Sequence, residues 1–482
     1  MKKNKSILLA LDGFSINFFR NIRENGGFNF LNELFSIGKI YNTQINLCAR
    51  GWPMIFTGEN VGQYRGYYYL VNKKNYNFFE KFSLTDYFKY SLFNSLSQQG
   101  YRLVVIGVPT TYPPQKINGV FISAGAAGGF PENIKEIVRP EKIAATYSED
   151  LSKYICDVRA HLFNNSISYL KALIEATKNK TKLAIKLIHD YAPDISIVGF
   201  AGCDRIGHAF WPYLEIIKEN NQLKDQTLSN LIKDYFEILD DSIKTLVNLF
   251  DFEKIIIVSD HGMIARRATL YINKLLIESG FAYSDNSLLK LTKETLRKIV
   301  INRFSPKARV FIKKIIHESS SVSNTVAMNA PALNWKKTRA FGSYMHGVYI
   351  NKADKYYSGI VSEKEYENYR ENIIDFLRSY RHPIFGKIFE FVGRREEFFS
   401  GRYLEDAPDI VFDLQDGIEI RGETMAQEII EPFEQVFYSS DDSAFIHNGI
   451  HSNRPFLYLN FNPTIEKGNG LSLLDISNIM NA

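Results

Sequence analysis

Seven short, nearly continuous runs of branched apolar residues constrain the fold of this chain more than any other feature. They are SILLALD (6–12), RLVVIGVP (102–109), GVFISAG (119–125), DISIVGF (194–200), KIIIVSD (254–260), PDIVFDL (408–414) and PFLYLNF (455–461). A strand wetted on one face alternates apolar with polar residues, whereas a continuous run suggests a strand covered on both faces. Helical periodicity is clearest in Ser166 to His189 and Leu228 to Leu249, each just before such a run. Strands alternating with helices predict an α/β layered domain around a largely parallel sheet. Ligands in such sheets bind beyond the carboxyl ends of the strands. Asp12, Asp260 and His261 stand where a run ends, and Asp204 follows one by a few residues.

Composition narrows the function classes. A net charge of +5 over 482 residues supports a mild attraction for an anionic substrate, and makes no case for nucleic acid or a membrane surface. Three cysteines (Cys48, Cys156, Cys203) are too few and too scattered for a disulfide framework. A reducing, cytoplasmic setting is therefore expected. The basic start MKKNKS leads into an apolar run of only Ile7 to Leu11, which reads as a first buried strand rather than a signal peptide. No apolar run reaches the length of a transmembrane helix.

The texture changes between residues 263 and 334. LYINKLLIESGF, TKETLRKIVINRF and KARVFIKKIIHES have helical character, and SSSVSNTVAMNAPALN reads as loop. This predicts a helical cap inserted into a discontinuous core of residues 1–262 and 335–482. Arg266, Arg267, Lys307 and Arg309 could belong to a lid over an anionic substrate, although a solvated structural role is the simpler reading for any one of them.

Asp204 and His208 are four apart, so a helix would place both on one face, a workable arrangement for a metal. Asp260 and His261 are adjacent at a strand end and can serve one ion or two. Taken in order, LLALDG, Cys48 nine residues before Thr57-Gly58, DRIGH, SDHG and GIH resemble the alkaline phosphatase superfamily. The resemblance is closest to its type I phosphodiesterase/nucleotide pyrophosphatase-like branch. VPTTYPP, INGVFISAG, WKKTRAF, GVYIN, GRREEFFSGRYLEDAPDIVF and GIHSNRPF carry it along nearly the whole chain.

The resemblance implies a three-layer α/β/α fold and two divalent ions, Zn²⁺ foremost and Mn²⁺ as the alternative. Asp204, His208 and His451 would hold one ion. Asp12, Asp260 and His261 would hold the other, which also touches residue 48. His346 and His447 are left out of both sets. The implied activity is cleavage of phosphodiester or pyrophosphate bonds in a small phosphorylated molecule, such as a nucleotide conjugate, by covalent transfer through residue 48. Hydrolysis of phosphomonoesters, phosphonates or sulfate esters is the enzymatic alternative. A silenced, metal-bearing protein that only binds a phosphorylated ligand is the other.

The branch carries threonine or serine where this chain has Cys48. A cysteine there can be a nucleophile and metal ligand, since thiolate does both. It can be the precursor of formylglycine, but Arg50 and Trp52 break the Cys-x-Pro/Ala-x-Arg signature. It can also mark lost catalysis. Arg50 could bind a non-bridging phosphate oxygen, and Trp52 is expected to pack. In the turn TGENVGQYRG, Val61 replaces a common proline and Tyr64 a common histidine, though its N–H groups could still meet phosphate.

Overall fold

The computed structural model describes residues 5–481 except 24–26, 80–82, 125–132, 220–224, 286–326, 329, 343, 443–446 and 464–470. Each of the seven apolar runs forms a strand, and six of them join one eight-stranded sheet. Across that sheet the order is Lys39–Asn42, Phe456–Leu459, Lys254–Val258, Ser6–Leu11, Ile195–Phe200, Leu103–Ile106, Gly119–Ile122 and Val138–Arg139. The strands from Lys254–Val258 through Gly119–Ile122 are mutually parallel. The outer strands Phe456–Leu459, Lys39–Asn42 and Val138–Arg139 each pair antiparallel with the neighbour on their inner side.

Side-chain alternation along Ser6–Leu11 divides the core into two layers. Ile7, Leu9 and Leu11 pack with apolar residues of the long helices Ser166–Tyr191 and Gln226–Phe250. Leu8 and Ala10 pack on the other face with Ile55 and Phe56 of Gly51–Thr57, Leu92 and Leu96 of Leu92–Gln98, and Ile476 and Ile479 of Asp475–Asn481. Every residue of Ser6–Leu11 is buried, which is why the run is continuously apolar. The long helices start on side-chain caps: Asn165 accepts from the Ser168 N–H, and Asp225 from the N–H groups of Thr227 and Leu228.

The PDIVFDL run departs from the expected parallel arrangement. Ile410–Leu414 lies in a separate four-stranded antiparallel sheet with Ala340–Gly342, Gly347–Ile350 and Phe389–Arg394. Ile410 and Phe412 face one apolar cluster and Val411 another, so this strand too is covered on both sides. Burial on both faces dictates the apolar run, and strand direction leaves no mark in it.

The described part of residues 263–334 opens with strands. Gly262–Ala265 pairs with Gly449–Ser452, and Ala268–Tyr271 pairs with Ile418–Arg421 and Ile430–Pro432. The helix Ile272–Glu278 follows, within the LYINKLLIESGF segment. The two basic helix-like segments, with Lys307 and Arg309, lie outside the described residues. Among the described residues no helix is long and apolar enough to cross a membrane.

Candidate metal centre

Sheet geometry explains why residues far apart in sequence meet. The registers Leu11↔Phe200 and Ala10↔Val258 set three strand ends side by side. Neighbouring strands are about 4.8 Å apart, so residues just past those ends arrive within metal-bridging reach. Asp12 leaves the central strand, and Asp260 and His261 leave the strand beside it. Asp204 opens the helix Gly202–Glu219 beyond the third strand, and its N–H donates to the Asp12 carbonyl at 2.9 Å. His208 lies one turn on along that helix. His451 comes from the Gly449–Ser452 strand, opposite Met263.

Two groups of ligand-type atoms result: Asp204, His208 and His451, and Asp12, Asp260 and His261. Asp204 Oδ1 lies 3.2 Å from His208 Nε2 and 3.4 Å from His451 Nε2, and the two nitrogens are 3.1 Å apart. A tetrahedral ion with bonds of about 2.0–2.1 Å holds its ligands about 3.3–3.4 Å from one another. In the second group His261 Nε2 lies 3.8 Å from Asp12 Oδ1 and 3.7 Å from Asp260 Oδ1. It is also 3.9 Å from Asp204 Oδ1, so that single oxygen faces both groups.

Orientation and charge favour cations here. His208 donates through Nδ1 to the Gly449 carbonyl at 2.8 Å, and His261 through Nδ1 to the Gly262 carbonyl at 3.1 Å. Each ring then turns Nε2 inward as an acceptor. Asp204 Oδ1 and Asp260 Oδ1 are buried without a hydrogen-bond partner among the described residues. Burial, then the charge of Asp204, raises the Asp12 carboxyl, and burial, then Asp12, raises that of Asp260 well above the usual range. Burial, then His261, pushes His451 down to about 3. Asp204 goes the other way, held down chiefly by His208 against its burial, and His208 is raised by Asp204 against its own. Three carboxylates and three imidazoles crowded out of water make a donor set that divalent cations satisfy. Mixed nitrogen and oxygen ligands fit Zn²⁺ or Mn²⁺.

A cavity of about 290 Å³ opens over these groups, walled by Arg50, Gly51, Trp52, Tyr68, Pro109, Thr110 and Arg205 among others. Trp52 does more than pack: its indole N–H donates to Asp12 Oδ1 at 3.1 Å. Gly51 approaches Asp260 so closely that an added Cβ would lie 2.6 Å from the Asp260 carbonyl oxygen. Arg50 donates to the carbonyls of Tyr67 and Tyr68 and lies over the Tyr68 ring at 4.8 Å.

Cys48 is not among the residues lining this cavity. It is buried, its N–H donates to Asn46 Oδ1, and its carbonyl accepts from the Tyr68 N–H. Burial, and then the charge of Asp413, push its thiol well up, the reverse of nucleophile activation. Within the 57–66 turn Glu59 donates to Thr57, Gly62 to Asn60, and Tyr64 and Gly66 to Val61, so those four N–H groups are engaged internally. His346 belongs to neither metal group and stacks on Phe412, and the His447 ring lies 4.3 Å from that of His208. Arg266 is buried in an ion pair with Glu419 at 2.9 Å.

The sequence matches the family of type I phosphodiesterases and nucleotide pyrophosphatases over residues 6–423. The chain belongs to that family. Its fold is that of the alkaline phosphatase superfamily. Phosphonoacetate hydrolase from Sinorhizobium meliloti 1021, solved with phosphonoformate, has a TM-score of 0.53 at 12% identity, over 100% of this chain and 96% of that one. The same hydrolase solved with phosphonoacetate has a TM-score of 0.52 at 12% identity, with the same coverage. Murine ectonucleotide pyrophosphatase/phosphodiesterase 5, an inactive form with AMP, has a TM-score of 0.44 at 12% identity, over 99% of this chain and 95% of that one. No curated protein sequence matches this one.

Proposed function

We propose that this family member is a two-metal hydrolase that cleaves phosphodiester or pyrophosphate bonds in a small phosphorylated molecule. The carrying observation is the near-tetrahedral spacing of Asp204 Oδ1, His208 Nε2 and His451 Nε2, with the same Asp204 oxygen turned to the second group. Divalent ions held there, Zn²⁺ foremost, would acidify a water and stabilise the attacking and leaving oxygens of an in-line displacement. The chain's own contributions are positional. Trp52 orients Asp12, the Gly449 carbonyl orients His208, and the Gly262 carbonyl orients His261. Arg50 brings a guanidinium to the cavity wall, suited to a phosphoryl group.

The test is hydrolysis of an aryl phosphodiester and an aryl phosphomonoester by Zn²⁺- or Mn²⁺-loaded protein, before and after chelation. The diester should be cleaved faster, and chelation should stop turnover until the metal is restored. Faster cleavage of the monoester would move the assignment to the phosphomonoester and phosphonate hydrolases. Thermal stabilisation by a phosphorylated ligand with no product would make it a binding protein.

The place of Cys48 favours hydrolysis without a covalent intermediate at residue 48. Cys48→Ala is then expected to retain activity within about threefold, whereas loss of a working nucleophile costs orders of magnitude. Steady-state rates and a burst-phase trace decide between them. A dead alanine variant would mean that the loop carries the thiol into the cavity during turnover.

A further inference from the structure

Thr110, from the VPTTYPP segment, stands in the wall of the cavity over both metal groups. The parallel register Ile106↔Val198 explains its place: the chain leaving Leu103–Ile106 emerges at the same sheet edge as the chain that leads to Asp204. Its backbone is strained. Its φ is 61°, and of the non-glycine residues with positive φ among the described residues, Thr110 alone is β-branched. Ala192 and Asp251 share the left-handed region but end long helices, where the turn out of the helix uses it. Thr110 ends no helix. A β-branched side chain makes this conformation costly, so the surroundings must impose it. The Tyr87 phenol donates to the Thr110 carbonyl at 2.9 Å, the Thr111 hydroxyl to the Val108 carbonyl at 2.6 Å, and the Leu84 N–H to the Tyr112 carbonyl at 3.0 Å. Tyr87 is itself fully buried. Within this pinned turn the Thr110 hydroxyl oxygen, beside the Tyr87 phenol, is buried with no hydrogen-bond partner among the described residues.

We propose that Thr110 is a substrate-contacting residue whose hydroxyl donates to a non-bridging oxygen of the phosphoryl group held over the metal groups. Rotation about χ1, between staggered wells, carries the hydroxyl from the phenol to the cavity. A buried hydroxyl without a partner is costly, and an incoming anionic oxygen removes that cost. Glycine would adopt the same backbone without strain, but it would leave the wall with no donor. The strain is therefore the cost of holding a hydroxyl at this point, and the bonds from Tyr87, Thr111 and Leu84 keep it there. Thr110 adds a neutral donor to the charged one that Arg50 brings.

This inference rests on the two-metal phosphoryl site proposed above, so metal and anion are measured separately. Chelated protein is titrated with Zn²⁺ in a calorimeter, and the Zn²⁺-loaded protein is then titrated with inorganic phosphate. The wild type should bind both. Thr110→Val keeps the branched shape and lacks the hydroxyl. It should bind Zn²⁺ as the wild type does and phosphate about tenfold or more weakly, the usual worth of a hydrogen bond to a charged group. Thr110→Ser should keep most of the phosphate affinity. Thr110→Gly relieves the backbone, so its thermal midpoint without phosphate should equal or exceed that of the wild type while its phosphate affinity falls. It carries the test if Thr110→Val fails to fold. A merely structural threonine would give the reverse, a lower midpoint with phosphate binding intact. Phosphate affinity within about twofold of the wild type in Thr110→Val and Thr110→Gly would overturn the contact and leave the metal pair standing. A wild type that binds no Zn²⁺, or Zn²⁺ but no phosphate, would overturn the proposed function and this inference with it.

Discussion

Asp204→Ala is expected to empty the site of His208 and His451 and to lower hydrolysis by about a hundred- to a thousandfold, the order of loss when one preorganised electrostatic contact to a transition state is removed. Its Oδ1 lies within 3.9 Å of the Nε2 atoms of His208, His451 and His261. Without it the first group keeps only His208 and His451, whereas Asp12, Asp260 and His261 remain as a set of three. The apo fold should tolerate the change. Burial opposes the charge of Asp204, and His208, His451 and Arg205 favour it. Arg205 keeps Asp157 as a partner after the truncation. The decisive readout is therefore the gap between metal-loaded and chelated melting curves. An ion at a hundred times its dissociation constant stabilises a protein by about 2.7 kcal/mol, and the gap should narrow by about that amount in Asp204→Ala. Elemental analysis showing two ions retained would show that Asp204 is not a ligand.

Much of this centre can be read from the sequence, for a definable reason. Asp12, Asp260 and His261 end apolar runs, and parallel strands deliver the residues after their carboxyl ends to one place. Asp204 and His208 needed only helical spacing. What escaped were residues whose partners are distant in sequence. Trp52 looks like packing until its N–H meets Asp12, and nothing local to DRIGH announces that Arg205 pairs with Asp157. Local pattern carries no information about such pairings. The 408–414 run was legible as a strand but not as part of a second sheet, because burial alone shaped it. Cys48 shows a different limit. Its flanks align it with a nucleophile position, yet the fold turns it into the core beside Asp413 and leaves Gly51 and Trp52 at the cavity wall.

Gly13→Ala should be the most damaging single-methyl change near the centre, and it tests whether backbone geometry holds the ligands. Gly13 has φ of 70°, in the left-handed region. A Cβ there would lie 2.7 Å from Asp204 Cα, 2.9 Å from its Cβ and 3.0 Å from its nitrogen. The conformation costs a non-glycine residue about 1–2 kcal/mol, and forcing a methyl into packed backbone costs about 1–3 more. Relief can come only by parting Asp12 from Asp204, which breaks the bond from the Asp204 N–H to the Asp12 carbonyl. That bond ties the two ligand sets together, so metal affinity should fall along with stability. Gly100→Ala separates the two causes. Gly100 also has positive φ, at 82°, but an added Cβ meets nothing within 4 Å. It should lose only the conformational part, about 1–2 kcal/mol, and bind metal as the wild type does. Denaturant melts of both chelated variants, paired with Zn²⁺ titration, give the comparison. Equal destabilisation with unchanged Zn²⁺ affinity would mean that the Gly13 turn yields without moving Asp204, and that the ligands are held by their side-chain partners instead.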